Sequence, residues 1–135
     1  MFGALETSTT GLVANRIRME TVAANVANAN SIDDGNGNNV PFRRRVAILS
    51  QGTANNRDAA GVHVREIVHD PAPFVRRFEG KSHPLADDDG YVSYPNINPI
   101  NEQVNAIEIT RAYEANIQAA EVTKTMMRTA MRLLA

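Results

Sequence analysis

PINEQVNAIEITRAYEANIQAAEVTKTMMRTAMRLLA, residues Pro99–Ala135, decides the fold, because one period runs through the whole stretch. Ala106, Thr110, Tyr113, Ile117, Ala120, Lys124, Met127, Met131 and Leu134 recur at three- and four-residue steps, the spacing of one helix face. A second line runs through Ala112, Ala115, Ala119, Val122, Met126 and Leu133. Asn98 suits the N-cap, Pro99 the first helical position and Glu102 the positive end, while Arg128 and Arg132 suit the negative end. Glu108 with Arg111, and Glu121 with Lys124, stand three apart and are expected to pair, each for roughly 0.2–0.5 kcal/mol. A helix with two apolar lines needs more than one neighbour.

Residues 2–29 read as the other long helix. Leu5, Leu12, Met19 and Val26 recur every seven residues, with Thr9, Arg16, Ala23 and Asn30 between them. Gly11 weakens the first turns. The segment closes on AANVANANS, Ala23–Ser31, where small residues alternate with asparagine. Small side chains let backbones approach closely. The amides of Asn25, Asn28 and Asn30 are expected to satisfy buried backbone groups and fix register. Asn30 or Ser31 is expected to take a left-handed step into the loop that follows.

Between the helices the period changes to two. FRRRVAIL from Phe42, VHVREIVH from Val62, FVRRFE from Phe74 and the short run Tyr91–Tyr94 read as strands. Ser31–Pro41 is a Gly/Asn/Asp loop, and Asp89-Gly90 is a turn. The expected fold is mainly α with a small β region. Long N- and C-terminal helices pair in coiled-coil fashion around a central β-hairpin, loop-rich insertion. Residues 1–30 and 99–135 form a helical core, and residues 31–98 a β-rich outer region.

Composition narrows the function. The apolar fraction is 43%, but 19 of those residues are Ala and there is no Trp, so a lone chain has a thin core. The net charge of −1 is spread evenly, which lacks the basic footprint of a nucleic-acid binder. Cysteine is absent, no leader of the cleaved type is visible, and no run is long enough to span a bilayer.

The candidate chemical sites weigh toward plain structure. Asp87–Asp89 and the loop at Asp34, Asn36 and Asn38 are the possible calcium loops; Asn39 stands where the turn glycine belongs and Arg45 where the closing Glu belongs. His63, His69 and His83 match no zinc spacing. No nucleophile elbow or phosphate loop is present, so neither an enzyme nor a cofactor is expected. Arg43, Arg44, Arg45, Arg76 and Arg77 alternate faces along their strands, and some are expected to meet carboxylates of a neighbouring subunit. The Met pair at 126 and 127, with Met131, reads as an adaptable packing surface.

Three stretches carry a resemblance: AANVANANS, the segment HPLADDDGYVSYPNINPINEQVN after Ser82, and RAYEANIQAAEVTKTMM from Arg111. They resemble the flagellar axial proteins of rod and hook, and DPAPFVRRFEG extends the likeness inward. The Ser31–Asn39 loop departs from that pattern. The resemblance implies a structural subunit that polymerises through its terminal helices into a hollow drive shaft between motor and hook. It also implies a place in the periplasm-spanning basal body, export without a cleaved signal peptide, and partners among its own copies, other rod proteins and an export-gate-proximal adaptor. An interaction module of the same axial or adaptor kind is the alternative. The expected subunit-packing residues are Leu5, Leu12, Met19, Val26, Asn25, Asn28, Asn30, Tyr113, Asn116, Ile117, Ala120, Met127, Met131 and Leu134, with no nucleic acid and no membrane span.

Overall fold

The computed structural model describes residues 2–56 and 58–134. Met1, Arg57 and Ala135, counted above in the helices and the charge balance, lie outside the described residues. Helix α1 spans Phe2–Ala27 and helix α2 spans Pro99–Leu134. Four strands lie between them in sequence: β1 Arg45–Gln51, β2 Val62–His69, β3 Val75–Phe78 and β4 Tyr91–Tyr94. They form two separate antiparallel pairs, β1 with β2 and β3 with β4. The chain is mainly helical with a small β part.

The start of α2 follows from its sequence. The Asn98 side-chain oxygen accepts from the N–H of Ile100 at 2.9 Å and of Asn101 at 3.4 Å, which satisfies two otherwise unpaired donors. The end of α1 differs from expectation. The helix stops at Ala27, and Ala29 and Ser31 close tight turns back to Val26 and Asn28. No non-glycine residue among those described adopts positive φ, so neither Asn30 nor Ser31 makes the left-handed step. Asn28 ends the helix instead: its amide donates to the Ala24 carbonyl at 2.9 Å and its oxygen accepts from the Ser31 hydroxyl. Helical ion pairing also differs. Arg16–Glu20 forms at 3.0 Å, whereas Glu108–Arg111 and Glu121–Lys124 do not close.

The two helices run antiparallel. Asn25 meets Glu102 at one end, and Gly11 meets Asn116 fourteen residues further along each helix. Continued at that offset, residues beyond about 125 have no α1 residue opposite them. The last turns of α2 therefore overhang by roughly 15 Å at ~1.5 Å per residue. The contact face of α1 consists of Ser8, Gly11, Asn15, Val22 and Asn25, all buried. On α2 the facing positions are Glu102, Ile109, Ala112, Asn116 and Ala120, of which Glu102 and Ile109 are fully enclosed. Small and polar residues at these positions bring the backbones close. Gly11 shows why: an added Cβ would stand 2.8 Å from the Asn116 amide nitrogen.

Ladder β1–β2 packs on the adjacent flank of α1. Thr10 anchors it, accepting from the Val62 N–H at 3.2 Å, against a Gly61 that leaves no room for a side chain. A bulge between Ile48 and Leu49 leaves Arg65 unpaired, so the simple alternation read along VHVREIVH breaks at that residue. Ribbon β3–β4 stands apart, with no Cα within 8 Å of either helix or of β1–β2. It is held through Asn39, whose amide donates to the carbonyls of Ile32 and Ser93 and whose oxygen accepts from the Ser93 N–H at 2.9 Å.

Replacing Gly11 with Leu is expected to push α1 off α2 and lower stability by about 1–3 kcal/mol. Gly11→Ala is expected to stay close to neutral, because the Asn116 amide can turn aside and alanine favours helix by ~1 kcal/mol. Urea unfolding followed by helical circular dichroism checks the difference.

Candidate subunit-packing surface

The surface is fixed in place by one buried polar cluster. Glu102 and Asn25 are each 1% exposed. The Asn25 amide donates to the Arg45 carbonyl at 2.8 Å and to Glu102 Oε2 at 3.1 Å, and its oxygen accepts from the Arg45 N–H at 2.8 Å. Glu102 Oε1 accepts from Arg44 Nε at 2.8 Å and Nη2 at 2.7 Å. Arg44 reaches on to Asp70 at 3.4 Å, and the Asp70 N–H returns to the Arg44 carbonyl. The end of α1, both edges of the first ladder and the start of α2 thus share one network. No described buried side-chain polar atom lacks a partner.

The arginines in and beside the strands find partners within the chain. Arg44 and Arg76 find carboxylates inside the chain, Arg76 on Asp87. Arg43, Arg45 and Arg77 lie over the rings of Phe74, Phe42 and Tyr94 at 4.1, 5.2 and 4.6 Å.

Ala112 and Ala120 of the apolar lines face α1, but the large side chains of those lines lie beside the intrachain contact, not in it. Leu5, Leu12 and Met19 are half-buried and Val26 is exposed. On α2, Asn116, Ala120 and Met127 are half-buried, while Tyr113 and Ile117 are exposed. Met131 and Leu134 on the overhang are 62% and 89% exposed. Of the expected asparagines, Asn25 is buried, Asn28 half-buried and Asn30 exposed. Apart from Pro41 and Pro95, the buried apolar side chains among the described residues are only Ala14, Val22, Val92 and Ile109. By contrast α2 alone exposes ten large ones.

Met19 and Tyr113 come together across the helix pair. With Asn15, Arg16, Glu20, Ile109 and Thr110 they line an open groove of about 260 Å³ whose floor is apolar. Val104, Val122, Met126 and Leu133 stay exposed along α2, three of them on the second apolar line. Each large side chain left in water forgoes the roughly 1.5–3 kcal/mol that its burial would contribute.

The network and the role of Gly11 escaped the sequence reading. Glu102 was legible only as a charge near the positive helix end. The spacing of Ser8, Gly11, Asn15, Val22 and Asn25 carries the signal of a close helix contact, but in small and polar residues that an apolar period does not detect.

The two acidic loops use their oxygens internally. Asp34 Oδ1 accepts from the N–H groups of Asn36 and Asn38, and Oδ2 from the Asn38 amide. The Asn38 amide, then the backbone N–H of Asn36, holds the Asp34 carboxyl down to about 2 from its ordinary 3.8. Asp87 is also lowered, first by the Tyr91 N–H and then by Arg76. Tyr94 is raised by burial and by its bond to Glu79. No group of three or more His, Asp or Glu suited to a metal occurs among the described residues, and no described helix is long and apolar enough to cross a membrane.

Comparison with known proteins gives these surfaces their context. Residues 5–31 match the family described as "Flagella basal body rod protein", and residues 88–133 match "Flagellar basal body rod FlgEFG protein C-terminal". Both helices therefore lie in segments that define flagellar basal-body rod proteins. The flagellar basal-body rod protein FlgC of Aquifex aeolicus is 39% identical over 125 residues, covering 92% of this chain and 90% of the relative. That of Bacillus subtilis is 33% identical over 146 aligned positions, covering 98% and 97%. That of Salmonella typhimurium is 34% identical over 116, covering 86% and 84%. The chain belongs to the FlgC family of flagellar basal-body rod proteins. It is a structural subunit of the basal-body rod, not an enzyme, and its place is the flagellar basal body.

Arg44→Ala leaves Glu102 buried without its cation and is expected to cost about 3 kcal/mol, toward the lower end for a broken buried pair because Arg44 is partly solvated. A downward shift of the urea midpoint checks it. Asp34 supplies a pH signature. Its lowered carboxyl supports the loop fully above about pH 4, and that support is lost as pH falls through about 2. An NMR titration should place its midpoint near 2, rising toward 3.8 in Asn38→Ala.

Proposed function

We propose that the chain polymerises through the apolar faces its two helices leave outside their mutual contact. The observation that carries this reading is the placement of Leu12, Met19, Tyr113 and Ile117 beside the helix contact and of Met131 on the overhang, where a neighbouring subunit can cover them. Four such side chains enclosed between subunits contribute roughly 6–12 kcal/mol before ordering costs. That is enough to offset the thin core of an isolated chain.

In this reading residues 1–30 and 99–135 form a coiled-coil-like axial core. Residues 31–98 form an insertion carried on the outside, where the ladder and the ribbon make lateral contacts. Contacts that do not close by rotation generate an open helical assembly. Helix pairs arranged side by side about an axis then form the wall of a hollow shaft between motor and hook that crosses the periplasm. The partners are further copies, other rod subunits and, by resemblance, an export-gate-proximal adaptor. Export proceeds without a cleaved leader.

Ile117→Asp and Met131→Asp each place a charge in a face that assembly must dry. Both are expected to abolish swimming in complementation assays while the subunit still leaves the cell. Normal swimming by both variants would sink the packing reading. The intact polar cluster should keep the fold, so a retained helical spectrum separates lost assembly from lost structure.

A further inference from the structure

We infer that the overhanging end of α2 docks head to tail into the groove between α1 and α2 of a second copy. The inference rests on the reading above, that the helix faces pack between subunits, and names which surface meets which.

The first observation is length and exposure. Beyond about residue 125, α2 has no α1 residue opposite it. Met126, Met131, Leu133 and Leu134 project there at 59%, 62%, 82% and 89% exposure. The second is the shape of the receiving surface. The groove of about 260 Å³ is open and floored by Met19, Ile109 and Tyr113, a size that admits one or two methionine or leucine side chains. Flexible methionines suit an irregular apolar cleft.

The third observation commits the occupant. Val122–Leu134 carries Lys124, Arg128 and Arg132 and no acidic residue. At about 100° per residue, these cations run along one side of the stripe Met127, Met131 and Leu134. On α2, Glu114 and Glu121 lie one heptad apart beside Tyr113 and Ile117, continuing from the groove, while on the α1 wall Glu20 is paired with Arg16 at 3.0 Å. Neither Glu114, Glu121, Lys124, Arg128 nor Arg132 makes an ion pair within the chain among the described residues. A methionine stripe edged by cations thus complements an apolar groove whose α2 side carries two unpaired carboxylates. Charge of this kind fixes register and speeds encounter more than it adds affinity. The two surfaces differ, so each docking leaves one groove and one helix end free, and the contact repeats as an open row.

The chain has no cysteine, so a Met19→Cys/Met131→Cys variant reports the contact by oxidative cross-linking. Within one copy Met19 lies opposite residue 108, about 35 Å along the pair from Met131, too far for a disulfide. The expected result is a ladder of dimers, trimers and larger species. The ladder should vanish when Glu114→Arg and Glu121→Arg are added, and return when Arg128→Glu and Arg132→Glu are added to those. Asn36→Cys/Met131→Cys, with Asn36 exposed in the Ser31–Pro41 loop away from the groove, should give no ladder. Monomers throughout, a ladder indifferent to charge reversal, an equal ladder from the Asn36 pair, or dimers from Met131→Cys alone would each overturn the docking mode. If cross-linking fails while Ile117→Asp still stops swimming, this docking mode falls and the packing reading stands.

Discussion

One enclosed carboxylate holds the architecture together. Glu102 sits in the first turn of α2, accepts from Arg44 on one oxygen and from Asn25 on the other, and is almost sealed from water. A charge in that position is tolerated only because each oxygen has a donor. Those donors come from the end of α1 and the approach to β1. The bond from Asn25 to Glu102 sets the offset of the helices, and that offset places Gly11 against Asn116. Asn25 also occupies both backbone groups of Arg45, so the first ladder takes its position from the same residue.

The helix pair inverts the usual distribution of side chains. Apart from Val22 and Ile109 its inner face is small or polar, while the other large apolar residues stand on the flanks. Close approach of backbones gains dispersion and hydrogen bonding there but removes little apolar surface from water. The subunit is therefore held by geometry and polar pairing more than by an oily core. For a family of structural rod subunits this division is economical, since the same helices then carry apolar surface outward.

Much of the architecture was legible in the sequence. The three- and four-residue steps of Tyr113, Ile117, Met127 and Met131 gave the long helix, and Asn98-Pro99 gave its start. The period of two around Val62 and Tyr91 gave the strands. Which face lies inward was not legible, because apolar periodicity points to the large apolar side chains and this contact is made mostly by small and polar ones. Arg44 and Glu102 are 58 residues apart, and nothing local marks them as partners. The bulge at Arg65 likewise depends on the partner strand. Ion pairs read from spacing failed at Glu108 and Glu121, where solvated side chains gain little by closing.

The antiparallel arrangement places the free end of α1 and the free end of α2 on the same side, far from Glu102. Stability is therefore graded along the long axis, from the sealed network to an open end whose last turns touch no other helix of the chain. A pull on either terminus meets the contacts one turn at a time, as in opening a zipper, and reaches the Asn25–Glu102–Arg44 cluster last. The same pair loaded across its width must break all its contacts together. The subunit is compliant to a force that draws it out by an end and stiff to one that shears it sideways.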